Sequence, residues 1–199
     1  MKKLTALLGI GLLTSSTGSL ASSDHWPDKE QRIHYGIGIG LALPAHNDNN
    51  IINAFSAANT NSSMNNDDFS FKLFGGYRFD PFLSLEFGFS DLGNTIATTN
   101  GSPSKLFNTY TAYINTIMTQ RYNDKAALFG KIGAHFWNHG PNRTSKLAEG
   151  TDLSLGAGLE LNLYGNSSRV IRIEWDRYLF DNIYIDTIDT LSLNLVFKH

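Results

Sequence analysis

The sequence predicts an all-β protein, a closed eight-stranded antiparallel up-and-down transmembrane β-barrel, on three observations. Eight stretches alternate apolar residues with small, polar or charged ones at period two, the signature of a strand with one apolar face. The connections between these stretches alternate short and long, as they do in membrane barrels. The composition fits as well. The 199 residues are 41% hydrophobic and 17% charged, with 18 Gly, and the mean hydropathy is −0.21. That is too polar for several spanning helices and suits strands that are half apolar.

Composition also narrows the function classes. The formal net charge is −2 and the sequence pI is about 6.3, so no basic surface recommends a nucleic-acid partner. With no Cys there is no disulfide framework, thiolate nucleophile or zinc knuckle. The length suits one domain.

At the amino terminus, Met1-Lys2-Lys3 is a short basic region, followed by the apolar run Leu4 to Leu13 and a small, polar stretch ending Ser19-Leu20-Ala21. This pattern predicts a signal peptide over residues 1–21. The apolar run falls short of the roughly 20 residues a spanning helix needs. The barrel domain is then residues 22–199, exported and with a formal charge of −4.

The first strand is read from Tyr35, Ile37, Ile39, Leu41 and Leu43, alternating with His34, Gly36, Gly38, Gly40 and Ala42. The second sets Phe69, Phe71, Leu73 and Tyr77 against Ser70, Lys72, Phe74, Gly76 and Arg78. The third sets Leu83, Leu85, Phe87 and Phe89 against Ser84, Glu86, Gly88 and Ser90. The fourth, around Tyr110, Ala112, Ile114 and Met118, also carries Tyr113 and Ile117 on its other face, which leaves its register open. In the fifth, Leu128, Ile132 and Phe136 oppose Phe129, Lys131 and His135. The sixth sets Leu153, Leu155, Leu159 and Leu161 against Ser154, Gly156, Gly158 and Glu160. Ile171, Ile173 and Trp175 oppose Arg172, Glu174 and Asp176 in the seventh. Leu191, Leu193, Leu195 and Phe197 oppose Ser192, Asn194, Val196 and Lys198 in the last.

Tight turns are expected at Phe79-Asp80-Pro81-Phe82, Tyr122-Asn123-Asp124-Lys125 and Gly165-Asn166-Ser167-Ser168, all rich in turn-forming residues. Long loops are expected over Pro44–Asp68 (rich in Asn), Asp91–Lys105, Asn138–Gly150 and Leu179–Asp189. Short turns at one rim and long loops at the other predict that the long loops face the cell exterior.

Alternation alone does not say which face is inside. A soluble barrel turns Leu and Phe inward; a membrane barrel turns them to lipid. Glycines crowd the polar face, as the narrow interior of an eight-stranded barrel requires. Lys72, Glu86, Lys131, Glu160, Arg172, Glu174 and Asp176 lie mid-strand, three positive against four negative, as a paired interior network needs. Tyr35, Tyr77, Trp175 and Phe197 lie near strand ends, where an aromatic girdle belongs. With this register Leu159→Arg is expected to disturb assembly more than Gly158→Ser.

The run Tyr77-Arg78-Phe79-Asp80-Pro81-Phe82-Leu83-Ser84-Leu85-Glu86 resembles the second hairpin of OmpA-type outer-membrane barrels. Leu128 to Trp137, Gly156 to Leu161, Arg172-Ile173-Glu174-Trp175 and Leu191 to Phe197 resemble their fifth to eighth strands. The resemblance implies an outer-membrane location and a pairing of inward Glu160 with inward Arg172. It further implies outer-membrane lipid, lipopolysaccharide and the barrel-assembly machinery as partners, with an extracellular ligand or host surface contacted by the loops. One departure is the ending Phe197-Lys198-His199, where assembly signals finish on the aromatic residue.

Catalytic chemistry finds little support. Barrel deacylases place a His and a Ser two apart at the rim, whereas His34 is followed two on by Gly36 and His135 by Trp137. His135 and His139 have metal-site spacing only on a helix. In a strand they stand roughly 13 Å apart, which makes them a packed interior His and a loop His. No catalytic residue, metal site or cofactor is expected. The expected function is a structural or surface-contact role through the long loops, in adhesion or envelope integrity. The alternatives are a narrow pore, a lipid-modifying barrel or a soluble periplasmic carrier.

Overall fold

The computed structural model describes residues 32–46, 62–65, 68–99, 102–140, 148–162, 168–181 and 185–199. The expected signal peptide, most of the Asn-rich loop and the turn residues Gly165 to Ser167 lie outside the described residues. The elements, all strands, are β1 (Ile33–His46), β2 (Ser62–Asn65), β3 (Asp68–Arg78), β4 (Leu83–Thr99), β5 (Ser102–Arg121), β6 (Ala126–Gly140), β7 (Ala148–Asn162), β8 (Arg169–Leu179) and β9 (Ile185–Lys198).

Each long strand pairs antiparallel with its neighbour, in the order β1-β3-β4-β5-β6-β7-β8-β9, and β9 pairs back onto β1. The sheet is therefore a closed eight-stranded barrel, and β2 is a short extra strand on the far end of β4. The pairings run His34 to Gly76, Glu86, Asn115, Gly133, Ser154, Tyr178, Ile188 and back to Pro44. One circuit thus climbs ten residues along β1. With eight strands this stagger fixes a strand tilt of about 40° and a radius of about 8 Å, room for side chains and little else.

The burial is inside out. Leu, Ile and Phe side chains of alternate positions, from Ile37 and Leu41 to Leu193, stand exposed, while Lys72, Glu86, Lys131, Glu174 and Asp176 are buried. On β1 the exposed apolar residues run from Ile33 to Leu43. At that tilt they cover a band roughly 25 Å tall, the height of a membrane barrel's apolar belt. On β5 the open register resolves with Ala112, Ile114 and Met118 outward and Tyr113 and Ile117 buried.

The two tight turns share one device. Asp80 Oδ1 accepts the N–H groups of Phe82 and Leu83 at 2.7 and 2.8 Å. Asn123 Oδ1 does the same for Lys125 and Ala126 at 2.9 and 2.8 Å. Such Asx turns satisfy backbone donors that a two-residue reversal would otherwise leave without acceptors.

The loop expectations need correction. Most of Asp91–Lys105 is strand, since β4 and β5 continue as a hairpin to Thr99 and Ser102. Parts of the other three expected loops, including Asn138–Gly140 and Ile185–Asp189, are likewise strand. Beyond the lipid a strand needs no apolar face, so residues such as Asn94, Thr95 and Thr98 carry the ladder on without the alternation that marks a membrane segment. The hairpin bends at a register shift between Asp91 and Asn94, where Gly93 adopts φ +83°. A Cβ there would also lie 2.6 Å from that of Asp68, so glycine is needed on both counts.

Candidate functional site

The lumen is filled in two tiers. In the first, β8 supplies Arg172, Glu174 and Asp176 at every second position, all pointing inward. Lys72 of β3 reaches Glu174 Oε1 at 2.7 Å and Asp176 Oδ2 at 2.5 Å. Lys131 of β6 pairs with the same two carboxylates, lying 2.5 Å from Asp176 Oδ1 and in contact with Glu174 Oε1. Two ammonium groups thus share two carboxylates.

Nearer the tight turns, the Arg172 guanidinium donates from Nη1 to Glu86 Oε2 at 2.6 Å and from Nη2 to Glu160 Oε1 at 2.8 Å. Glu160 Oε2 accepts from Lys198 Nζ at 2.7 Å. Arg172 Nη1 also lies 3.9 Å from Glu174 Oε2, so all seven residues singled out from sequence stand in one connected network, which Lys198 joins as the eighth. Four cations now balance four anions, which a low-dielectric interior demands. Lys198 shares its inward parity with Ser192, Asn194 and Val196, and that parity was the sequence signal for it.

Neutral groups complete this tier. Tyr113 Oη donates to Glu86 Oε1 at 3.4 Å, and Asn194 Nδ2 to Glu174 Oε2 at 3.3 Å. The guanidinium of Arg172 lies between the rings of Phe129 and Phe74, at 4.8 and 5.2 Å. Two small cavities border the network, each of about 10 Å³, room for about one water.

The second tier, toward the long-loop rim, is aromatic. His135 Nε2–H donates to the Leu179 carbonyl at 2.6 Å, which leaves Nδ1 to accept from Thr111 Oγ1 at 3.1 Å. Phe180 folds in from the end of β8 and meets His135 edge-on, with centroids 5.0 Å apart. Trp137 packs against His139 at 4.6 Å and against Phe180 at 5.4 Å. Trp137 Nε1 donates to Asp152 Oδ2 at 2.6 Å.

His139 is thus no loop residue. It is fully buried in β6 and hydrogen-bonded to Thr109 Oγ1 at 2.9 Å, because β6 keeps its inward parity to Gly140. The aspartates grouped by sequence around the last loop also separate. Asp176 belongs to the ionic tier, Asp189 holds Arg177 at 2.6 and 2.7 Å, and Asp181 and Asp186 are exposed.

The chemistry this arrangement offers is that of a filled interior. Each buried charge meets an opposite one, and each ring nitrogen of His135 has a partner.

A family model for the OmpA-like transmembrane domain matches residues 28–198. No curated protein matches the sequence. Among solved structures, the chain is similar to Neisserial surface protein A, with 12% identity, 84% of this chain and 97% of that chain covered, and a TM-score of 0.57. It is similar to the N-terminal β-barrel domain of Pseudomonas aeruginosa OprF, with 12% identity, coverage of 84% and 98%, and a TM-score of 0.51. It also resembles the outer membrane protein OprG of Pseudomonas aeruginosa, with 11% identity, coverage of 84% and 94%, and a TM-score of 0.50. Identities this low speak for the fold alone. With its matched span running from ahead of β1 to the end of β9, the chain belongs to the OmpA-like transmembrane domain family and is a β-barrel of the cell outer membrane.

Proposed function

We propose that this barrel is a non-enzymatic, non-conducting scaffold that carries its long-loop rim on the cell exterior, for surface contact or envelope integrity. The observation that carries this reading is the division of the molecule. The lumen is occupied by an ionic and an aromatic tier, while β4 and β5 run on past the membrane band with β2 added beside them. A barrel whose interior is spent on packing has its outer strands and loops left for contact. In this reading residues 1–21 direct export, the assembly machinery inserts the barrel, and phospholipid and lipopolysaccharide surround it.

Planar-bilayer recording of the purified, folded protein tests the scaffold reading. The expected result is no discrete opening at moderate voltage. Stable unitary conductance would favour a narrow pore and overturn the proposal. Cells lacking the 94–106 hairpin tip should keep the barrel in the outer membrane and lose the surface phenotype of the intact protein.

A further inference from the structure

The rim of tight turns differs in charge from the rim of long loops. At the turn rim, Arg32, Arg78, Arg121, Lys125, Arg169 and the buried Lys198 face three carboxylates, Asp80, Asp124 and the buried Glu160, among the described residues. Asp80 is already engaged with backbone N–H groups of its own turn. In the second turn the equivalent acceptor is the neutral Asn123. At the loop rim the balance reverses. Among the described residues there, Asp68, Asp91, Glu149, Asp152, Asp181, Asp186 and Asp189 outnumber Lys105 and Arg177.

The cations at the turn rim do not converge. Arg32 precedes β1, Arg121 and Lys125 flank the β5–β6 turn, and Arg169 opens β8, so they encircle the barrel. Arg32, Lys125 and Arg169 are exposed. A small anion could not touch these positions together, whereas a ring of surrounding headgroups touches each of them.

Aromatic side chains mark the depth. Phe79, Phe82 and Tyr122 are exposed on the two turns, Tyr122 at 83%. Arg32 Nη1 donates to the hydroxyl of Tyr77 at 3.2 Å, and Tyr77 packs edge-on against Phe79. Aromatic rings of this kind sit at the level of lipid headgroups. The Arg32 guanidinium beside Tyr77, and Lys125 in the same turn as Tyr122, are at the depth of headgroup phosphates, and basic residues at that depth attract anionic lipid.

We infer that the turn rim is a collar for anionic phospholipid, preferring phosphatidylglycerol-type headgroups over zwitterionic ones in the leaflet it faces. This rests on the rim's own charge and depth and holds whether or not the scaffold reading does.

The test uses the full folded chain in bilayers of phosphatidylethanolamine containing a minor fraction of phosphatidylglycerol, with spin-labelled forms of both lipids. The expected result is a preference for phosphatidylglycerol of roughly five-fold or more at low salt, falling toward unity in 1 M salt. The variant Arg32→Gln/Lys125→Gln/Arg169→Gln should lose the preference while Arg177→Gln, at the other rim, keeps it. Retained heat-modifiable migration in gels verifies that both variants are folded. Absence of preference in the parent protein overturns the collar, as does a preference that survives the triple change. Binding of soluble cell-wall fragments to the same cations, without lipid selectivity, would also overturn it.

Discussion

The two tiers of the lumen solve one problem by opposite means. Both must fill a cylinder of about 8 Å radius from inward-facing strand positions. The ionic tier does so with charges whose partners come from β3, β4, β6, β7 and β9 as well as β8. The aromatic tier uses rings of Trp137, His135, His139, Tyr178 and Phe180, with few polar atoms to satisfy. Rings pack against whatever is near, so the loss of one partner leaves a void and little else. Charges are unforgiving, because the loss of one partner leaves an uncompensated ion.

The largest expected difference follows directly. Arg172→Ala strands Glu86, leaves Glu160 with Lys198 alone, and should lower barrel stability by about 3–5 kcal/mol, read as a drop in the urea midpoint of unfolding in lipid. Replacing Glu160 and Arg172 together by Leu should restore only part of this, because Glu86 and Lys198 are then left alone. Full restoration would show that the pair stands apart from the network.

Next come changes at the wall of the ionic tier. Leu159→Arg, facing lipid three residues from the turn-rim end of β7, should cost about 1–3 kcal/mol, below the figure for a midplane position. The sequence reading made Gly158→Ser milder, and the structure corrects that. A Cβ at 158 would meet the Ile173 carbonyl oxygen of β8 and lie 2.5 Å from the Phe129 ring that stacks on Arg172. Serine there should therefore disturb the barrel comparably, measured as loss of heat-resistant migration. A tolerated serine would mean that both Phe129 and the β7–β8 backbone give way.

The aromatic tier should yield the smallest effect. Trp137→Phe keeps an aromatic ring in the buried site, leaves a small void where the indole was larger, and removes the hydrogen bond to Asp152, a half-buried carboxylate that also accepts the Asp181 N–H at 3.1 Å. A loss of about 1.5 kcal/mol is expected from the same unfolding midpoint. An effect as large as that of Arg172→Ala would erase the distinction between the tiers.

Much of this molecule was legible residue by residue. Alternation is a property of i and i+2, so the inward parity of Lys72, Glu86, Lys131, Arg172, Glu174 and Asp176 needed no tertiary information. The Asx acceptors Asp80 and Asn123 act on neighbours two and three positions on, and the turns they make were equally visible. The resemblance to OmpA-type barrels supplied the Glu160–Arg172 pairing, and these two are directly opposed on adjacent strands of one hairpin. The strand extensions past the bilayer were not legible, because there the solvent stops enforcing an apolar face.

The sequence by itself determined the class of fold, the order of the strands and which side chains enter the lumen, since each depends on local periodicity and turn chemistry. Only the tertiary structure decided who meets whom inside. Lys72 and Asp176 are 104 residues apart, and Arg172 and Glu86 are 86 apart. They lie on strands that are not neighbours. Their meeting depends on the ten-residue stagger with which β9 closes onto β1, because that stagger sets the height of every inward side chain. Lys198 entered the network through the register of three successive strands: Glu160 of β7 opposes Arg172 of β8, which opposes Asn194 of β9, and Lys198 follows four residues on.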